Sequence, residues 1–171
     1  MKKLFTRSVL ICCLLYAGSV AAQKCRYDAD VTNPGTHVRT RRIHVDLDKH
    51  WAILFQQDDT VYSVCLLVNA ADSLSGKIGK GNMLHVELEN GKRFDLFVAE
   101  EAKATAKETG SGNVLVHQAK CVTDRRTLAL FAESALTGMK LHMKDKDQAF
   151  DEPDDRKKGL IMKAAQCMLK D

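Results

Sequence analysis

Two His-x-acid pairs, His44 with Asp46 and His85 with Glu87, are the residues of this chain whose types and spacing come closest to a metal site. On a β-strand, residues two apart point to one face, so each pair would present an imidazole and a carboxylate together. Were the two strands neighbours, four ligands would converge in a set that zinc accepts, and an open position would generate a hydrolytic water. Zinc sites carry stronger signatures than this, and His, Asp and Glu belong on the wet face of a half-exposed sheet in any case. No metal and no cofactor is therefore expected.

Arg39, Arg41 and Arg42, with His37 and His44 nearby, form a basic strand able to meet a phosphate, a sulfate or an acidic partner. The same charges would also guard an edge strand against aggregation, and that reading is the favoured one. Arg156-Lys157-Lys158 reads as the solvated face of a helix. The stretch from Ser73 to Gly81 lacks the Gly-x4-Gly-Lys-Ser/Thr order, so it reads as a flexible connection between strands and not as a phosphate loop. No Gly-x-Ser-x-Gly elbow or His-Glu-x-x-His helix occurs. Scattered acids such as Asp95, Glu100 and Glu101 would make a glycosidase pair only through their separation in space. After residue 22 the large ring donors are Tyr27, Tyr62 and Trp51, and Trp51 opens an apolar strand, which argues against a sugar-binding platform.

These residues follow a start that reads as an export signal. Lys2, Lys3 and Arg7 give a positive n-region, Val9 to Ala17 an apolar h-region, and Ser19-Val20-Ala21-Ala22 small residues at the cleavage point. The h-region is too short to anchor in a bilayer, and no later run is long enough, so no integral membrane segment is expected after cleavage. Cys12 and Cys13 lie inside the apolar stretch behind the bulky Ile11, which disfavours lipidation. Cleavage after Ala22 leaves 149 of the 171 residues as a single globular domain. It removes three of the 26 Lys and Arg and none of the 22 Asp and Glu, so the net charge falls from +4 to +1. A wide positive field for nucleic acid disappears with it.

Four cysteines remain, Cys25, Cys65, Cys121 and Cys167, an even number in an oxidising compartment, and two structural disulfides are expected with the pairing open. No Cys-x-x-Cys pair occurs, which disfavours redox catalysis.

The elements that must position these residues are legible in periodicity. Asn90-Gly91 between Leu84-Val86-Leu88 and Phe94-Leu96-Val98 predicts a β-hairpin. Ile43-Val45-Leu47 and Met139-Leu141-Met143 alternate with polar residues and read as edge or surface strands. Trp51 to Phe55, Val61 to Val68 and Val114 to Val116 read as central strands, with Gln57-Asp58-Asp59-Thr60 as a turn. Glu100 to Gly112 reads as a solvated loop or a short frayed helix. Helical spacing of Leu160, Ile161, Ala164, Ala165 and Met168, behind the acidic start at Asp151 to Asp155, predicts a C-terminal amphipathic helix that a Cys167 disulfide would pin to the sheet. A short helical turn is expected around Ala132 to Leu136. The fold class expected is α+β, a mostly antiparallel sheet of about six or seven strands packed against that helix and stabilised by disulfides.

The functional expectation is a small exported protein, periplasmic or secreted, that binds another protein or an envelope component without catalysis. Its contact regions would be Arg39 to Arg42 and Glu100 to Gly112. The alternatives are a hydrolase, metal-dependent or built on an acid pair, and a structural envelope subunit that self-associates.

Overall fold

Alternating apolar and polar residues lay strands along most of this chain. The structure, a computed structural model, describes residues 25–69, 78–102, 104–109 and 112–170. The segment read as an export signal and most of the stretch from 73 to 81 lie outside them. Among the described residues run β1 (Ala29–Thr32), β2 (Arg39–Asp46), β3 (Trp51–Asp58), β4 (Val61–Asn69), β5 (Met83–Leu88), β6 (Arg93–Phe97), β7 (Ala104–Thr109) and β8 (Gly112–Thr123). Helix α1 (Arg125–Glu133), β9 (Leu136–His142), β10 (Asp147–Phe150) and helix α2 (Asp155–Met168) complete the order.

The fold is a mostly antiparallel α+β structure, with a six-stranded sheet β1-β2-β3-β4-β8-β7 covered by the C-terminal helix and a disulfide joining Cys25 to Cys167. A second, four-stranded sheet β10-β9-β5-β6 adds to the single sheet expected. Its link to the first is a bridge between Val98 and Cys121, so β8 pairs with β7 along its first half and meets the end of β6 near its last residues. No helix among the described residues is long and apolar enough to cross a membrane.

One apolar core fills the space between the sheets and helices. Ile43, Val45, Ile53, Phe55, Val64 and Leu66 supply it from the large sheet, Leu84, Val86 and Leu96 from the small one. Phe131 of α1 stands edge-on to Phe55 of β3 at 5.6 Å and to Phe94 of β6 at 5.3 Å, so a single ring ties the two sheets. Trp51 is buried and meets Phe150 of β10 at 4.9 Å.

Local chemistry sets the turns and helix starts. In the predicted hairpin, Gly91 N donates to the Leu88 carbonyl and Gly91 takes φ +78°, giving a three-residue loop whose last position suits glycine. The β3–β4 turn narrows to Asp59-Thr60, with Asp59 at φ 54°. Helix α2 is capped at its start by Asp154, whose carboxylate accepts from Lys157 N.

Four expectations need correction. Residues 104–109 are neither loop nor helix but strand β7, because β8 runs for 12 residues and offers them a complete ladder. Strand β9 is interior, paired with β10 and β5. Helix α1 starts at Arg125, seven residues before the turn expected from Ala132, because Asp124 caps it by accepting from Thr127 N. The arginine-bearing half of β2 is not an edge, since β1 pairs with Arg39 through Arg42.

Candidate functional site

Cross-strand partners share a face, so the register of the large sheet assigns every side chain to the core or to the opposite side. Opposite the core lie three rows: Arg42, Gln56, Ser63 and Val122; His44, Leu54, Cys65 and Lys120; Asp46, Ala52, Leu67 and Gln118. Thr105 of β7 and Val116 of β8 extend this face.

In a flat sheet β2 and β7 would stand four strand spacings apart, roughly 19 Å. Here Arg42 of β2 and Thr105 of β7 line one cavity of about 330 Å³, together with Gln56, Glu100, Glu101, Gln118 and Lys120. The sheet therefore curls away from the core into a trough. A second cavity of about 300 Å³ shares Thr105 and Gln118 with the first and adds His44, Asp46 and Asn69 over an apolar floor of Ala52, Leu67 and Val116. The trough thus has an apolar base, amide and hydroxyl groups along its length, and both signs of charge at one end.

Curling buries polar groups that a flat sheet would leave wet. Ser63 is 2% exposed, and its Oγ has no hydrogen-bond partner among the described residues. His44 Nε2 lies 3.3 Å from Asp46 Oδ1, yet the pair lacks hydrogen-bond alignment and this buried nitrogen is likewise unpartnered. Gln56 is buried and donates to Asp58. A buried unpaired polar atom costs about 1–3 kcal/mol, and His117 Nε2, on the core side beside Val68, is a third such atom.

The sequence-derived candidates are distributed as follows. His44 and Asp46 are in the large sheet, on the trough wall, whereas His85 and Glu87 are on the solvent side of the small sheet. The four-ligand set does not assemble, and among the described residues no group of three or more His, Cys, Asp or Glu is placed to hold a metal. His85 Nδ1 instead sits 2.7 Å from Asp95, with Nε2 3.5 Å from Glu87, which Arg93 also approaches at 3.2 Å. A parallel cluster forms around Asp147, whose carboxyl is held below the usual range by the Lys140 hydrogen bond and further by His142.

The three arginines separate into different roles. Arg39 is exposed and paired to Asp30 at 2.7 Å. Arg41 points to the core side and is buried, donating to Gln57, the Lys170 carbonyl and Tyr27. Arg42 alone faces the trough.

Of the four cysteines, Cys25 and Cys167 are bonded, with Cα atoms 5.6 Å apart, and the bridge pins α2 to the segment before β1. The second expected disulfide is absent because Cys65 and Cys121 are free thiols on opposite faces of neighbouring strands: Cys65 pairs with Lys120, while Cys121 pairs with Val64. Joining them would require a one-residue slip that reverses every side chain of a strand. Burial raises the Cys65 thiol, against a hydrogen bond with Gln118, and pushes Cys121 up to about 12.

Ser63, Gln118 and Lys120 escaped the sequence reading. The alternation of Gln118 and Lys120 with Ala119 and Cys121 carried the signal, but it extends beyond the three residues recognised as a strand there. No known family model, curated protein or solved structure matches this chain.

Proposed function

We propose that this chain is an exported, non-enzymatic binding protein, and that the trough of the curled sheet receives its partner, a segment of another protein or an envelope component. The observation that carries this reading is the unpartnered buried Nε2 of His44 on the wall of a continuous polar groove; Ser63 Oγ, also unpartnered, is on the same face of the sheet, in the row of Arg42 and Gln56. The two regions expected from sequence to meet partners supply opposite walls of it, through Arg42 and through Glu100, Glu101 and Thr105. Export is supported by the signal-like start and by the Cys25–Cys167 bridge, which an oxidising compartment maintains.

The test compares the oxidised mature protein with a Gln118→Leu, Lys120→Glu variant in capture experiments from envelope and culture-medium extracts. A partner that binds saturably to the first and is lost from the second is the expected result. A partner held equally by both would remove the trough from the reading.

A further inference from the structure

A second site lies where β2 leaves the cover of β1. That pairing ends at Arg42, and beyond it the outward backbone groups are capped by side chains: Asp28 accepts from His44 N, and Lys157 Nζ donates to the Asp46 carbonyl. An incoming strand would have to displace both caps, so this edge is closed to strand addition. Between it and α2 lies a cleft of about 430 Å³, within the range typical of small-ligand sites.

The cleft is two-sided in character. Ile43, Val45, Leu160 and Ala164 give it an apolar wall, and Arg26, Lys157 and Lys163 stand around it. Positions 157, 160, 163 and 164 fall on one helix face, which places the lysines beside the apolar stripe. Leu160 keeps 42% of its surface exposed there. Asp28 and Asp46 also reach the cleft: Asp28 is engaged by the His44 amide, whereas the Asp46 carboxylate is exposed, 3.3 Å from His44 Nε2 without hydrogen-bond alignment. Arg26 and Lys163 have no ion pair or side-chain hydrogen bond among the described residues, and with Lys157 they outnumber Asp28 and Asp46 by one, so the net charge of the cleft is positive.

We propose that this cleft binds a soluble single-chain amphiphile with an anionic head, its chain against Ile43, Val45 and Leu160 and its head at Arg26 and Lys163. The site goes beyond the trough reading and stands without it, although His44 and Asp46 border both cavities.

The experiment titrates the oxidised mature protein with decanoate by calorimetry, beside the uncharged decanol, and repeats both on an Arg26→Glu, Lys163→Glu variant whose fold is checked by thermal melting. Saturable one-to-one uptake of decanoate is expected, about tenfold weaker for decanol and for decanoate on the variant. A Leu160→Asp variant weakens decanoate similarly. Failure of decanoate to bind, equal affinity for decanol, or indifference to charge reversal overturns the site. Flotation with anionic-lipid vesicles separates the sources, because binding to bilayers without uptake of free decanoate also overturns it. Partner capture by the trough is unaffected by either result.

Discussion

Arg41 Nη1 donates to the Lys170 carbonyl at 2.6 Å, fastening β2 of the large sheet to the chain two residues past α2 across 129 sequence positions. Tyr27 completes the fastening, its hydroxyl donating to the Cys167 carbonyl at 2.9 Å and its ring lying 5.6 Å from the Arg41 guanidinium carbon. Replacing Arg41 by Met should lower stability by about 2–3 kcal/mol, because it removes the part-buried hydrogen bonds that this buried guanidinium makes to Gln57 and to the Lys170 carbonyl. Arg41→Lys should recover only part of that, since an ammonium cannot span both acceptors. Arg39→Ala, at an exposed ion pair, should barely move the urea midpoint; an equal loss in the two variants would refute the distinction.

The bridge between Cys25 and Cys167 spans 142 positions, and replacing both cysteines by serine should cost about 2–5 kcal/mol in a denaturant melt. Thiol titration of the protein cut after Ala22, which lacks Cys12 and Cys13, should find Cys65 and Cys121 unreactive, and denaturation should release two thiols. Recovery of a Cys65–Cys121 peptide under non-reducing conditions would contradict the register of β4 and β8.

Ser63→Ala should leave the fold as stable or raise its stability by about 1 kcal/mol, because the hydroxyl it removes is buried without a partner. The same change should weaken partner capture if the hydroxyl serves the bound state. Clear destabilisation with capture unaltered would show the hydroxyl to be structural.

Asp147 and Asp124 carry depressed carboxyls, the first through its hydrogen bond from Lys140, the second through the backbone hydrogen bond from Thr127 that caps α1. A group with a lowered folded value contributes stability that is complete above its unfolded value of 3.8 and disappears as pH falls through the folded one. Melting midpoints of Asp147→Asn and Asp124→Ala should therefore fall below wild type at neutral pH and converge with it in strong acid. A gap that persists in acid would assign the loss to something other than charge.

Strands with one wet face were legible because period-two alternation depends only on the residue and its two neighbours. That is why β2, β5, β6 and β9 could be read from the sequence. Strand β7 was not, since Ala104 to Thr109 has no apolar alternation and is strand only because β8 holds it. The second sheet was hidden for a related reason: Val98 and Cys121 meet through a single bridge that no local pattern announces. The trough needed both curvature and register, so His44, Asp46 and Arg42 were visible as residues but not as walls of one groove. Arg41 looked like its neighbours until the fold turned it inward.

Because Cys25 and Cys167 are covalently joined, the main chain between them closes into a ring of nearly the whole described molecule. One peptide cut anywhere on that ring, whether in the β5–β6 turn or between β7 and β8, opens it without releasing a fragment. The protein would thus keep its pieces together after a first proteolytic nick, and only a second cut, or loss of the bridge, would let part of it escape.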